Sequence, residues 1–201
     1  MKILISILAF ILCFSCDENS QEVALNTAIE KITIPDITKN KTDVLFQLKN
    51  GVLYFDKETY TGIVNDFYEN GNLKSISEYY NGKRQGKYFG WYPNKQKWFE
   101  RFYTSGLKSG IHQGWHKNGI QMFEYYFNNN GSYNGSVKDW YLNGVLANYF
   151  NFIEGKETGS QKMWDLKGKI RANFYTVNGE RHGLIGLKKC ISVVHDTLEI
   201  K

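Results

Sequence analysis

FYENGNLKSISEYYNGKRQG, residues 67–86, is the stretch that decides the fold. Asn70-Gly71 and Asn81-Gly82 bracket a run in which apolar and polar residues alternate, the period of a strand with one face covered. An Asn-Gly pair fits a type I′ turn because both central residues take positive φ. Two such turns in so short a segment predict two antiparallel strands, hence one hairpin.

Moving outward, the same pattern recurs. Glycines at Gly62, Gly86, Gly110, Gly135, Gly159 and Gly183 are spaced by 24, 24, 25, 24 and 24 residues, a period that signals a repeat architecture. Five residues after each of the first five comes an aromatic, Phe67, Trp91, Trp115, Trp140 and Trp164. These rings, with Tyr79, Tyr103, Phe127 and Phe152 from the second strands, are expected to form the repeat core. Nine residues after each glycine stands a turn signal: Asn70-Gly71, Asn94-Lys95, Asn118-Gly119, Asn143-Gly144 and Lys167-Gly168. A second follows at Asn81-Gly82, Ser105-Gly106, Asn130-Gly131, Glu154-Gly155 and Asn178-Gly179. The extra residue of the third unit falls in Asn128-Asn129-Asn130, where an insertion spares the strands.

Five units therefore occupy 62–183. Residues 42–61, with Asn50-Gly51 as a turn and Leu53, Tyr54 and Phe55 as a strand, read as a degenerate half-repeat capping the N-terminal edge. Residues 184–201 read as a C-terminal cap, because the last strand of an array otherwise templates further pairing. The polar segment 16–41, with a short helix over 21–31 as one reading, is expected to be a tether. If flexible, it reaches about 25 to 30 Å.

The chain opens MKILISILAFILCFSC. Lys2 precedes an apolar run over 3–14 that is too short to span a bilayer, so residues 1–15 read as an export signal. Ser15-Cys16 resembles a bacterial lipobox, in which the signal is cut before a cysteine carrying a diacylglyceryl group, although Cys13 holds the place usually taken by leucine. An ordinary secretory signal and an uncleaved anchor are the alternatives. Lipidation of Cys16 leaves Cys190 as the sole free thiol, in a stretch where it reads as a small buried hydrophobe.

Residues 67–86 closely resemble the MORN repeat variant found in tandem in YwqK-type antitoxin proteins, and looser copies extend the resemblance over about residues 46–183. It implies an all-β fold, an elongated single-layer antiparallel sheet of tandem hairpins. Ten strands at the usual separation span about 48 Å. For some family members it also implies neutralisation of polymorphic toxins. An antitoxin that protects its own cytoplasm does not need export, so 1–16 fits that role only if the toxin acts in the envelope.

Composition narrows the function classes. Besides Lys2, the net charge of +5 divides into eight acids against five bases over 17–62 and nineteen bases against twelve acids over 63–201. The positive excess forms no block, which argues against a nucleic-acid footprint. His112 and His116, four apart on a strand, lie about 13 Å from one another and do not share a metal. Glu154, Glu157 and Asp165 fall at turns and edges as solvated charge. Gly131 to Gly135, GSYNG, lacks the central serine and following helix of a nucleophile elbow. Even repetition supplies no unlike polar cluster, so no catalytic residue, metal or cofactor is expected. Repetition does suit binding: Tyr68, Tyr92, His116 and Tyr141, with Lys87, Lys117 and Lys138 interspersed, are the candidate binding face. The alternative is that these rings only shield the second face of a thin sheet. The expected partner is another protein, an envelope protein or a toxin, with the membrane reached through lipid on Cys16 and the outer membrane as the expected location.

Overall fold

A computed structural model describes residues 32–186. The signal at 1–15, Cys16, most of the tether including 21–31, and the cap beyond residue 186 with Cys190 lie outside the described residues.

Among the described residues the protein is all-β. β1 (Thr38–Asn40) is followed by a small antiparallel sheet of β2 (Phe46–Lys49), β3 (Val52–Phe55) and β4 (Glu58–Thr59). The repeats then supply β5 (Gly62–Phe67), β6 (Leu73–Tyr80), β7 (Lys83–Trp91), β8 (Lys97–Thr104), β9 (Leu107–Trp115) and β10 (Gln121–Phe127). They continue with β11 (Tyr133–Trp140), β12 (Leu146–Ile153), the two-residue β13 (Lys156–Glu157), β14 (Gly159–Trp164), β15 (Ile170–Val177) and β16 (Glu180–Leu184). From β5 to β16 each strand lies beside its sequence neighbour except that β13 and β14 both pair with β12, so the repeats form one open meander of successive hairpins, with β1 at one end and β16 at the other.

Gly86, Gly110 and Gly135 mark bulges. Ser77 pairs with Tyr88 but Tyr79 with Arg84, so two residues of β6 oppose four of β7, and Gly86 sits in the surplus at φ +82°. Gly110 in β9 occupies the same position at φ +64°. A side chain is strained at such angles, which is why glycine recurs at this point in each unit.

The two turn types differ, which corrects the expectation of a type I′ turn at both. The second turn is of that type: Asn81-Gly82, Ser105-Gly106, Glu154-Gly155 and Asn178-Gly179 all have positive φ at both residues. In the first turn only the last loop residue does. Gly71 N–H donates to Tyr68 O at 2.9 Å and Tyr68 N–H to Asn72 O at 2.9 Å, a three-residue loop closed by one left-handed residue. Asn70 serves it through its side chain, whose Oδ1 accepts Asn72 N–H at 3.0 Å. The additional residue of the third unit converts its second turn to this form: Asn128 N–H donates to Ser132 O and Gly131 N–H to Asn128 O.

Two further corrections concern the N-terminus. Thr38–Asn40, assigned to the tether, pairs in parallel with β5, Lys39 opposite Val64, so this strand and not the half-repeat covers the first edge. The half-repeat folds as its own sheet and lays Phe46, Leu53 and Phe55 against Tyr60, Val64 and Tyr79. Phe46 meets Tyr60 edge to face at 5.1 Å.

Nor do the five register aromatics form the buried layer. Phe67 is exposed and the four tryptophans are half-buried, because each lies at a strand end beside a second register shift, as at Gly90 and Trp91. Tyr79 and Phe127 are buried, whereas Tyr103 and Phe152 are half-buried. The buried layer runs along the middle of one face, through Val64, Phe99, Phe123, Val137 and Phe174. There, large residues oppose small ones: Phe99 faces Gly90 and Gly114, Phe123 faces Gly114, and Met163 faces Ala172. The Phe99 and Phe123 rings lie over these glycines, so a Cβ at Gly114 would overlap the Phe123 ring. Gly114→Ala is expected to cost about 1–3 kcal/mol by overpacking. In urea denaturation the cost should shrink when Phe123→Leu is added, since the pair then no longer competes for one space.

Candidate functional site

The sheet presents two unlike faces. One carries, strand by strand, Ile76, Phe89, Glu100, Gln113, Glu124, Lys138, Tyr149 and Lys162 in directly opposed positions. Its charges are mostly neutralised internally. Glu124 accepts Lys138 Nζ at 2.8 Å and Gln113 Nε2 at 2.9 Å. Burial pushes the Glu124 carboxyl up, but these bonds outweigh it and leave it below the usual range.

The opposite face is aromatic and roofed by cations. The Arg84 guanidinium lies 4.6 Å from the Tyr88 ring centre, 5.6 Å from Tyr103 and 5.8 Å from Tyr79. Arg101 covers Phe99 at 4.7 Å and Phe123 at 5.7 Å, and Lys108 Nζ stands 5.1 Å over Phe127. Long cationic side chains spread over rings bury their stems and keep the charged head in water. None of the three forms an ion pair with a described carboxylate. The acids of this face are engaged elsewhere: Asp66 with Lys41 and Lys74, and Asp139 with the Tyr125 hydroxyl and Asn148 Nδ2. A patch of unneutralised positive charge on an aromatic bed therefore occupies β7, β8 and β9.

His112 lies beneath this patch, 3% exposed, its ring 5.4 Å from Tyr103 and 4.6 Å from Phe127. Its Nε2 stands 2.7 Å from Phe102 O, which fixes the proton on Nε2, since a carbonyl only accepts. Burial holds the imidazole at about 4, against the opposing pull of the Phe102 carbonyl and with Arg101 and Lys108 adding to the depression.

The stripe expected from the sequence has a different occupation. Tyr68 Oη donates to Trp91 O at 2.9 Å, Tyr92 Oη to Trp115 O at 2.8 Å and Tyr141 Oη to Trp164 O at 2.9 Å. His116 Nε2 reaches Trp140 O at 3.3 Å. Each side chain thus reaches the carbonyl of the next unit's register aromatic, and the stripe clasps unit to unit. Asn118 and Asn143 extend the clasp by donating to Leu142 O and Leu166 O in the following turn. The spacing of about one repeat between donor and acceptor was the signal in the sequence. At the other end of the hairpins the ties run backwards, from Gly82 N–H to Tyr60 O and from Gly106 N–H to Arg84 O, each at 2.8 Å.

Of the acids read as solvated, Glu154 lies in a type I′ turn and Glu157 takes a bidentate contact from Arg181. Asp165 accepts the backbone N–H of Lys169 and then of Lys167, which lower its carboxyl below the usual range. A shallow open depression, lined by Gln96, Lys97, Trp115 and Gly119, lies near the first-turn edge.

The fold and its faces define a hairpin-repeat protein with one charged, internally paired face and one aromatic face that carries free cations. No family model matches the chain, and no curated protein matches it.

Two outcomes follow from this geometry. Tyr92→Phe removes the donor to Trp115 O and should lower stability by about 1 kcal/mol in chemical denaturation. The unfolded chain binds a proton at His112 near pH 6.5, whereas the folded one refuses it until about 4. Stability is therefore full above pH 6.5 and is lost as the pH falls to about 4, by about 3 kcal/mol at most. Thermal melts across that range should show the loss, and His112→Phe should flatten it.

Proposed function

We propose that this chain is a non-enzymatic lipoprotein of the bacterial envelope whose repeat sheet is a protein-interaction module. The observation that carries the reading is the patch of Arg84, Arg101 and Lys108, three cations without a carboxylate partner among the described residues, set on rings of the aromatic face. Guanidinium groups held over rings present a planar fork that matches carboxylates, and aromatic and arginine side chains are the usual anchors of protein interfaces. The partner that fits is a protein with an acidic surface. Lipid on Cys16 holds the module at the membrane, and the segment after it gives the repeats reach.

The resemblance to YwqK-type antitoxins favours one version of this function, in which the partner is a toxin acting in the envelope and binding neutralises it.

Two experiments test the proposal. Growth with a labelled fatty acid should mark the wild-type chain and leave Cys16→Ala unmarked. Cross-linking in cells followed by purification should recover a partner with wild type and with Lys87→Glu/Lys162→Glu, which alters the opposite face. Recovery should fall about tenfold or more with Arg84→Glu/Arg101→Glu/Lys108→Glu, as loss of charged interface anchors does. Equal recovery with both multiple variants would refute the assigned face.

A further inference from the structure

We propose that Asn50 and Asn178 are sites of spontaneous deamidation, the two positions at which the array leaves an Asn-Gly turn chemically unguarded. In this reaction the backbone nitrogen of the glycine gives up its proton and attacks Cγ of the asparagine side chain. The Cγ–Nδ2 bond breaks, ammonia leaves, and a five-membered succinimide forms. Water then opens the ring to aspartate or isoaspartate, so the balance is one amide and one water in, one carboxylic acid and one ammonia out. No oxidant, metal or enzyme enters.

The chain holds eight Asn-Gly pairs, and the structure treats them unequally. A glycine N–H bound to a carbonyl is held away from the attack and keeps its proton. In the first-turn type this bond lies within the loop: Gly119 N–H donates to His116 O and Gly144 N–H to Tyr141 O, both at 2.8 Å. Gly71 and Gly131 are bound in the same way, Gly82 is bound to Tyr60 O, and Gly135 lies within the β11–β12 ladder opposite Phe152. Gly51 and Gly179 differ. Neither N–H has a backbone acceptor among the described residues.

The asparagine side chains sort in the same direction. Asn118 accepts Ile120 N–H through Oδ1 and donates to Leu142 O, and Asn143 does the equivalent with Val145 and Leu166. These bonds fix the carboxamide that must rotate for ring closure. No hydrogen bond to a described residue holds the side chain of Asn50 or of Asn178.

The cause is position in the array. In the interior the glycine of a type I′ turn donates to the carbonyl 22 residues earlier, as Gly82 does to Tyr60 and Gly155 to Tyr133. Gly51 closes the hairpin of the small N-terminal sheet, ahead of the first repeat. For Gly179 the equivalent carbonyl is that of Glu157, and no bond to it forms. The Asn178 turn also joins β15 to β16, the last described strand, where opening involves one ladder only. An isoaspartate there adds a backbone atom to a two-residue turn, shifting the pairing of Val177 with Glu180.

The test uses the full-length folded protein, incubated at mildly alkaline pH and physiological temperature, digested at intervals and analysed by mass spectrometry for conversion of amide to acid. Peptides containing Asn50 and Asn178 should convert about fivefold to tenfold faster than those containing Asn118 and Asn143, the ratio expected when one backbone hydrogen bond must first open. In urea the difference should vanish. Equal rates in the folded protein, faster conversion at Asn118 or Asn143, or the same ranking in urea would each overturn the proposal.

Discussion

A sheet one layer thick has no opposite layer to cover its aromatic face, and the rest of this structure follows from how that face is kept from water. Most β-proteins solve the problem by packing two sheets together. Here the cover comes from within the sheet. Phenylalanine rings lie over glycines of the neighbouring strand, and Arg84, Arg101 and Lys108 spread over the rings. Among the described residues a second layer exists only at the N-terminal end, where the small sheet presses Phe46 and Phe55 on Tyr60. The same cover that solves the solvent problem leaves three positive heads without a carboxylate partner among the described residues, so a feature needed for the fold also supplies the surface on which the proposed function rests.

A thin array also needs its units held in register, and this happens at the hairpin ends. At one end Tyr68, Tyr92, His116 and Tyr141 reach forward to a tryptophan carbonyl. At the other, the interior type I′ turns reach back, as with Ser105 N–H to Gln85 Oε1 and Gly106 N–H to Arg84 O. Backbone groups that a single hairpin leaves to water are thereby paired between hairpins.

Much of this architecture was legible in the sequence because it recurs. Glycine spacing, turn pairs and alternation give hairpins and their order without further information. What the period could not reveal was the reason for each recurrence. The tryptophan register looked like a core, yet Trp91 and its counterparts mark strand ends, and the ring that is buried, Phe99, was hidden among several aromatics in WFERFY. The stripe at Tyr68 was visible as a stripe, but its partners lie about one repeat away. β1 was missed because Thr38–Asn40 is short, polar and parallel, and parallel pairing leaves no local turn signal. The cation patch escaped notice because Arg101 stands outside the register that Arg84 and Lys108 share, and the three meet only once the strands are aligned.

The third unit's single additional residue has a mechanical meaning. Its second turn satisfies its own N–H groups, Gly131 to Asn128 O and Asn130 to Asn128 Oδ1, and so sends no tie back to the preceding unit. The units before and after it keep theirs, through Gly106 and Gly155. Among the described interior units, this joint is the one fastened on a single side. A sheet fastened on both sides bends as a plank, whereas one released along one margin opens there like a book along its spine. The third hairpin is thus the place in the interior of the described array where the sheet can yield to the curvature of whatever it lies against.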